Sequence, residues 1–366
     1  LPHRGRALTG EHFTTPPYVD YFMSRFGKAP YDLASSGRAE RKWEEFSHLL
    51  QDASIFDNVF KASEKRFSQV FLERYGETDG KDLMCVPGTT GANFVAVNAL
   101  CPPGGTVAIE RPVYDPLPTV AKSCGRKVKF FDRPAQSGHL PDIKTLKDSL
   151  KDGARLVILT NPHNPTGVYF GNEVLEEVHE LLVEHDALCV VDEVYIEFHP
   201  DWRERTALKA GSRFLVTASL TKVYGLSELT TGWLAGSRDA VHTCRRYFSL
   251  FTGHNSSPSM EIACTLAPHL YKMVAEDRAL IASNFSHMRR FCERHGLQMQ
   301  HSAGAPICLV TLGDDVDDIA FADRAFEKGL FVIPATFFGF SGKLRIGLFK
   351  DETMFSTALG VLAKLL

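Results

Sequence analysis

Short apolar runs alternate with helical stretches from residue 82 onward, and this alternation restricts the possible folds more than any other feature. The runs lie at 83–86, 106–109, 127–131, 156–160, 188–191 and 214–218. Several of them are almost wholly apolar, as is typical of strands that are covered on both faces. Strands that alternate with helices in this way predict an α/β fold in which a mainly parallel sheet is flanked by helices.

The chain of 366 residues exceeds the size of one typical core, and the alternation ends near residue 265, so we predict more than one domain. Residues 1–45, rich in Pro, Gly and aromatic side chains, are predicted to form an N-terminal arm and part of a small domain. Residues 46–265 are predicted to form a large domain, and residues 266–366 a smaller α+β domain. Within the smaller domain, 330–333 is predicted to be a single strand.

Charge and cysteine content exclude several classes of function. The 41 basic and 44 acidic residues give a net charge of −3, which predicts no general attraction to nucleic acid or anionic membranes. No run is long enough to span a bilayer and the N-terminus lacks the apolar core of a signal peptide, so we expect a cytoplasmic protein. The eight cysteines are scattered without a Cys-x-x-Cys pair, which indicates buried reduced thiols rather than disulfides or a metal site.

The turn after the first strand contains a candidate phosphate site. Open parallel sheets bind ligands at the carboxyl ends of their strands, and Gly88, Thr89, Thr90 and Gly91 lie at such an end, before a helical stretch. Glycines allow close approach of the backbone, the helix start presents free N–H groups, and the threonines add hydroxyl donors. An ordinary capped helix start explains the same residues equally well.

Two further strand ends carry residues suited to holding a flat ring. Tyr114, just after a strand, could stack on a ring, although a packing tyrosine is the commoner explanation. The stretch 160–167 reads Thr-Asn-Pro-His-Asn-Pro-Thr-Gly and contains two Asn-Pro pairs. Asn-Pro pairs favour a rigid turn, and a plain connection does not need so much fixed geometry.

Asp192 and Lys222 are the candidate reactive pair. Asp192 ends a buried strand, where a carboxylate must be paired or hydrogen-bonded; an ordinary ion pair with an arginine is the alternative. Tyr195 follows three residues later and could face the same side. Lys222 follows the apolar run 214–218, and burial there would lower its pKa and free the amine for Schiff-base chemistry. Most lysines at strand ends are simply solvated.

Taken in order, these motifs resemble those of the fold-type I pyridoxal-phosphate enzymes, specifically the class I/II aminotransferases. The resemblance rests on Asn-Pro-His-Asn-Pro-Thr-Gly at 161–167, Asp-Glu-Val-Tyr at 192–195 and Ser-Leu-Thr-Lys-x-Tyr-Gly-Leu at 219–226. It extends from about residue 35 to residue 345. It implies an aspartate aminotransferase-like fold, pyridoxal 5'-phosphate (PLP) as the cofactor of the large domain, and a homodimer with its active sites at the subunit interface.

The resemblance also assigns roles around the cofactor ring. Lys222 would form the internal aldimine and carry a proton between the substrate Cα and the cofactor. Asp192 would pair with the pyridinium nitrogen and keep the ring an electron sink. Tyr195 and Asn164 would hydrogen-bond the phenolic oxygen of the ring, and Tyr114 would stack on its face.

The remaining implied roles concern the phosphate and the substrate. Gly88, Thr89, Thr90 and Ser219 would hold the phosphate, while Arg345, with Gly37 and Asn164 beside it, would bind the substrate α-carboxylate. Two features depart from the family. Thr230 stands where an arginine usually grips the phosphate, and 55–60 offers no tyrosine to the phosphate of a neighbouring subunit.

The resulting hypothesis is a PLP-dependent aminotransferase that acts on an amino acid or related amine bearing an α-carboxylate, with an oxo compound as the acceptor. A lyase, decarboxylase or oxidase on the same scaffold would share every residue named above. A non-catalytic PLP-binding protein is the third possibility, favoured by the two departures and opposed by the intact ring site.

Overall fold

The structure, a computed structural model, describes residues 15–51, 55–76 and 78–366. Residues 1–14 of the predicted arm lie outside this part. The strands are Tyr31–Asp32 (β1), Lys81–Pro87 (β2), Thr106–Arg111 (β3), Lys127–Asp132 (β4), Ala154–Thr160 (β5), Leu188–Asp192 (β6), Phe214–Ser219 (β7), Thr231–Ser237 (β8), Gln298–Gln300 (β9), Ile307–Thr311 (β10), Leu330–Phe331 (β11), Ile333–Pro334 (β12) and Lys343–Gly347 (β13).

Helices separate most of these strands. They are Pro17–Arg25 (α1), Trp43–Phe46 (α2), Phe60–Glu73 (α3), Gly88–Leu100 (α4), Pro116–Ser123 (α5), Ile143–Lys151 (α6), Asn172–Glu184 (α7), Trp202–Arg205 (α8), Ala207–Ala210 (α9), Arg238–Phe248 (α10), Ser257–Leu266 (α11), Leu270–His295 (α12), Asp318–Glu327 (α13) and Glu352–Ala363 (α14). In the part of the chain that the structure describes, no helix combines the length and the apolarity needed to cross a bilayer.

Seven strands form the central sheet, in the order β2-β8-β7-β6-β5-β3-β4. The pairs from β7 to β4 are parallel, and β8 runs antiparallel to both of its neighbours. Along β5, Leu156 and Ile158 face one apolar cluster while Val157 and Leu159 face the other, so both faces of the sheet are covered. The predicted mainly parallel sheet flanked by helices is confirmed.

A buried ion pair ties three strand ends together beside the ligand edge of the sheet. Arg133 Nη1 lies 2.7 Å from Glu110 Oε2, and neither side chain is exposed. Glu110 also accepts a hydrogen bond from the Thr160 backbone N–H at 2.9 Å. Because Arg133 Nη1 also donates to the Thr160 carbonyl oxygen at 3.1 Å, the pair fixes where the turn after β5 begins.

The strand β8 was not predicted from the sequence. Its two glycines, Gly232 and Gly236, are more typical of a turn than of a strand. In the structure both allow neighbouring atoms to approach the strand closely. A Cβ at Gly232 would lie 2.6 Å from the backbone carbon of Gly88. Because Gly232 has no side chain, β8 can lie directly against the turn that starts α4.

The C-terminal region is built on a four-stranded antiparallel sheet in the order β12-β13-β10-β9. The predicted single strand 330–333 is wrong. Leu330–Phe331 pairs in parallel with β1, whereas Ile333–Pro334 pairs with β13. The N-terminal strand thus joins the C-terminal region, and this places residues 35–37 beside the central sheet. The division of the chain at 45 and 265 stays a prediction.

Candidate active site

A cavity of about 170 Å³ lies at the carboxyl end of the central strands. Its walls come from the turns that follow β2, β3, β5, β6 and β7, and from the N-terminal region. All the residues predicted to contact a cofactor line it: Gly88, Thr89, Thr90, Tyr114, Asn164, Asp192, Tyr195, Ser219 and Lys222. The two remaining predicted residues, Gly37 and Arg345, do not line it.

Asp192 presents a buried carboxylate to this cavity, held by neutral donors. Asn93 Nδ2 donates to its Oδ2 at 2.8 Å and the Val194 N–H donates to its Oδ1 at 3.1 Å. Burial, opposed by these hydrogen bonds, raises the pKa of Asp192 to about 6. Within the described residues no Lys or Arg lies close enough to form an ion pair with it, so the predicted alternative of an ordinary arginine partner does not apply.

Lys222 faces the same cavity with its side chain partly exposed to the cavity space and its amine deep inside the protein. Burial, helped by the positive charge of Arg345 and opposed by Asp192, lowers the pKa of the amine to about 8. A lysine in water titrates near 10.4. A far larger fraction of this amine is therefore uncharged, and nucleophilic, at neutral pH than for a solvated lysine.

The Asn-Pro turn after β5 is fixed from several sides. His163 is buried: its Nε2 lies 2.8 Å from the Pro112 carbonyl oxygen, and its Nδ1 lies 2.7 Å from Thr166 Oγ1. Burial lowers the pKa of His163 well below its usual value, so the ring is neutral and acts as a structural link. The turn presents Asn164 to the cavity, where its buried Oδ1 has no hydrogen-bond partner within the described residues.

Tyr195 and Tyr114 form the aromatic part of the lining. The Tyr195 hydroxyl donates to Ser36 Oγ at 2.6 Å, and burial raises the pKa of Tyr195 above its usual value. Both phenols are therefore protonated at neutral pH, since burial also raises the pKa of Tyr114 well above its usual value. Ser36, from the N-terminal region, reaches the site through this contact.

The opposite end of the cavity offers uncharged anion-binding groups. Thr89, Thr90, Ser219 and Thr221 line it, and the described part of the chain offers no hydrogen-bond partner to the buried Thr89 Oγ1. Thr230 is exposed and lies apart, in the left-handed region with φ +48°. Among the described residues that line the cavity, Lys222 is the only Lys or Arg. The lining therefore contains no second cation that could replace the arginine for which Thr230 stands.

Arg345 is buried completely, just beyond the lining. Its Nη2 donates to the Tyr18 hydroxyl at 3.2 Å and to the Ala34 carbonyl oxygen. Its Nε and Nη1 have no hydrogen-bond partner among the residues that the structure describes. Gly37 lies instead against Lys222, where an added Cβ would be 2.7 Å from the Lys222 carbonyl oxygen. Gly37 therefore packs closely on Lys222, and its predicted place beside Arg345 stays a prediction.

Tyr18, Ser36, Asn93 and Thr221 are among the lining residues to which the sequence analysis assigned no role. Only Asn93 carried a usable signal, because it is an amide within the otherwise apolar stretch Ala92–Val97 of α4. A buried amide in such a stretch needs a polar partner. Its Oδ1 accepts from Thr217 Oγ1 at 2.9 Å, which directs its N–H groups toward Asp192.

Comparison with known sequences decides the family. The sequence profile described as "Aminotransferase class I and II" matches residues 46–360. The chain belongs to this family.

Its relatives span several named activities. The chain is 26% identical to a capreomycidine synthase of Streptomyces vinaceus, over 90% of its own length and 88% of that protein. It is 28% identical to a histidinol-phosphate aminotransferase of Pseudomonas fluorescens, over 74% and 72% of the two chains. A PLP-dependent aminotransferase from Streptococcus suis has the same fold, with a TM-score of 0.84, 21% identity, and coverage of 96% and 97%.

Pyridoxal phosphate is the cofactor of this family, and the cavity of this member fits it. The amine of Lys222 and the carboxylate of Asp192 face one space, as an aldehyde and a ring nitrogen require. The unpartnered Asn164 Oδ1 and Thr89 Oγ1 are orphaned polar atoms of the kind that a bound polar molecule satisfies. The Asn164 amide carries both an acceptor and two N–H donors, so it can also donate to that molecule.

The contact between Asn93 and Asp192 leads to a first prediction. In Asn93→Ala, Asp192 loses a donor, so its pKa rises above about 6 and less carboxylate is available at neutral pH. Because a hydrogen bond to a charged group contributes roughly 1.5–3 kcal/mol, we expect PLP affinity at pH 7 to fall by about tenfold or more. The loss should grow as the pH falls toward 6. Titration of the apo-protein with PLP, followed by absorbance at several pH values, measures this.

Asn98→Ala is the matched control, because Asn98 lies in the same helix but donates to the Phe94 carbonyl oxygen away from the cavity. Equal PLP affinity in Asn93→Ala and wild type across the pH range would contradict the assigned role of Asn93.

Proposed function

We propose that this protein is a PLP-dependent aminotransferase of amino acids, in which Lys222 is the catalytic amine. The observation that carries the proposal is the placement of Lys222 and Asp192 in one cavity, each with a pKa moved toward neutrality. Bound pyridoxal phosphate would supply an aldehyde and an electron-withdrawing ring that stabilises negative charge at the substrate Cα. The chain's own groups would supply binding, orientation and proton transfer.

Lys222 has the properties that both of its proposed tasks require. With a pKa of about 8, its amine is uncharged often enough to attack an aldehyde and is basic enough to accept a proton near neutral pH. The free amine would then take the proton from the substrate Cα and deliver it elsewhere in the cavity.

Asp192, Asn164 and Tyr195 are proposed to orient the ring. Asp192 would face the ring nitrogen, where a cationic N–H would compensate the buried carboxylate. Asn164 and Tyr195 would hydrogen-bond the phenolic oxygen, and Tyr114 would cover one face. Gly88, Thr89, Thr90 and Ser219 would hold the phosphate through backbone N–H and hydroxyl groups.

Arg345 supports an amino acid, rather than a simple amine, as the substrate. Within the described residues its guanidinium has no acidic partner, although it is fully buried. A buried cation without an anion is costly, and a substrate α-carboxylate would satisfy two parallel N–H groups of the guanidinium at once. The donor would thus be an α-amino acid and the acceptor an oxo acid.

A lyase, decarboxylase or oxidase would use the same residues, and the relative named capreomycidine synthase carries a name that does not state amino transfer. The choice is experimental. Amino transfer requires an oxo acceptor, which receives the amino group of the donor. Release of ammonia, pyruvate or carbon dioxide without an acceptor would indicate one of the other chemistries, and cofactor binding without turnover a non-catalytic protein.

A second prediction tests the role of Lys222. After PLP and sodium borohydride are added, peptide mass spectrometry should find the pyridoxyl group on Lys222. Lys222→Ala should carry no label there and should transfer no amino group from any of the common L-amino acids. Lys81→Ala is the control, because burial also lowers the pKa of Lys81 while its Nζ is bonded to the Gly211 carbonyl oxygen away from the cavity. Full activity in Lys222→Ala would refute the proposal.

The pKa of Lys222 gives a third prediction. Only the uncharged amine attacks the aldehyde, so the rate at which apo-protein combines with PLP should rise with pH and level off above about pH 8. For an ordinary lysine the rise would continue to about pH 10.4. Stopped-flow absorbance measures this rate. A rate that still increases steeply between pH 9 and pH 10 would show that the amine is solvated.

We also propose a cytoplasmic homodimer. The family is commonly dimeric, and Phe56, Val59, Leu250 and Phe251 are large apolar side chains that are 84%, 71%, 80% and 52% exposed. Stacking of Phe60 on His254 at 4.7 Å brings the two segments together. Contiguous exposed apolar surface marks interaction sites. The eight cysteines are all free and seven are buried, which supports a reducing compartment.

A fourth prediction concerns this surface. Leu250→Asp places a charge in the proposed interface, so sedimentation velocity should show a monomer where the wild type sediments as a dimer. Val183→Asp, on the exposed face of α7, is the control and should remain dimeric. A wild-type protein that is monomeric at all concentrations tested would end this part of the proposal.

A further inference from the structure

Tyr18, the second residue of α1, is placed between the cavity and Arg345. Its side chain lines the cavity and is only 6% exposed. The ring packs edge-on against Tyr114, with 5.3 Å between ring centroids, and against Phe338 at 5.5 Å. The Tyr18 backbone N–H donates to Asp115 Oδ2 at 3.3 Å. These contacts fix the ring, so its hydroxyl has a defined position at the edge of the site.

The guanidinium of Arg345 lies over the Tyr18 ring. The Arg345 Cζ is 5.3 Å from the centroid of Tyr18 and 5.4 Å from that of Phe338. The Arg345 guanidinium is therefore stabilised by two aromatic faces and by two neutral acceptors, the Tyr18 hydroxyl and the Ala34 carbonyl, instead of an anion. Over residues 15–51, 55–76 and 78–366, Nε and Nη1 find no partner, so no carboxylate of these residues pairs with the guanidinium.

The hydrogen bond from Arg345 determines what the Tyr18 hydroxyl can do. Its oxygen accepts from Arg345 Nη2 at 3.2 Å, which leaves its own proton available for donation. No acceptor for that proton is found among the described residues. A hydroxyl that is polarised by a cation and faces a cavity is a good donor to an anion in that cavity.

We propose that Tyr18 is a substrate-binding residue, whose hydroxyl donates to the same α-carboxylate that Arg345 binds. This inference rests on the proposed function and extends it. The carboxylate would receive N–H groups from Arg345 and an O–H from α1, so the N-terminal helix would take part in selecting α-amino acids over amines that lack a carboxylate.

Tyr21 provides a matched control from the same helix. It is nearly as buried as Tyr18, at 8% exposure, and its ring also packs on an aromatic neighbour, Phe337. Its hydroxyl donates to Asp323 Oδ1 at 3.3 Å, and it does not line the cavity. Tyr18→Phe and Tyr21→Phe therefore each remove one hydroxyl and keep one buried ring.

The test uses PLP-loaded wild type, Tyr18→Phe and Tyr21→Phe. Each is titrated with propionate, a carboxylate without an amino group, while the visible absorbance of the bound cofactor is followed. Loss of a hydrogen bond to a charged group predicts a propionate Kd that is raised about tenfold or more in Tyr18→Phe. Tyr21→Phe should match the wild type. Unchanged propionate affinity in Tyr18→Phe, or no saturable binding in wild type, would overturn the inference.

Kinetics with an amino donor separates binding from general damage. For the L-amino acid that reacts fastest, Tyr18→Phe should raise KM with little change in kcat. The amine formed by removing its carboxylate should react equally well with both proteins. Equal losses with both substrates would mean that Tyr18 only supports the fold, and the inference would fail. If wild type does not form a covalent link with PLP at all, the proposed function fails instead.

Discussion

A carboxylate held inside the protein without a cationic side chain is the constraint around which the site is built. Asp192 ends β6, and α4 is placed so that Asn93 can reach it, while Thr217 of β7 sets the orientation of the Asn93 amide. Neutral donors keep the carboxylate in place but compensate burial only in part, since the pKa of Asp192 stays raised to about 6. The cavity is therefore electrostatically incomplete until a cationic group faces Asp192.

Lys222 and Arg345 show the same incompleteness from the positive side. Lys222 has lost much of its hydration, and the guanidinium of Arg345 has aromatic faces and neutral acceptors but no anion. The positive charge of Arg345 disfavours the charged form of Lys222. Each group would be stabilised by a ligand of complementary chemistry. A substrate carboxylate would pair with the guanidinium of Arg345, and an aldehyde would react with the amine of Lys222. One amino acid and one cofactor together would thus satisfy every unpaired group of the site.

The sequence predicted the parts of the site that lie at strand ends, because there the chain order and the chemistry coincide. Asp192, Lys222 and the turn 161–167 follow apolar strands directly, so their shared location could be predicted from the strand pattern. Asn93 and Tyr18 could not be placed in this way. They act from helices through contacts that span 99 and 327 residues of sequence. The break in 330–333 was hidden for a similar reason, since only pairing with β1 reveals it.

The pairing of β1 with β11 has a consequence for how the protein is made. Tyr31–Asp32 leaves the ribosome before its partner Leu330–Phe331 has been synthesised. The strands of the central sheet lie between them and can assemble as they emerge, because domains generally fold during synthesis from the N-terminal side. The segment carrying Ser36 and Gly37 must wait for its partner strand. The nascent chain would therefore acquire a complete active site only after β11 has been synthesised.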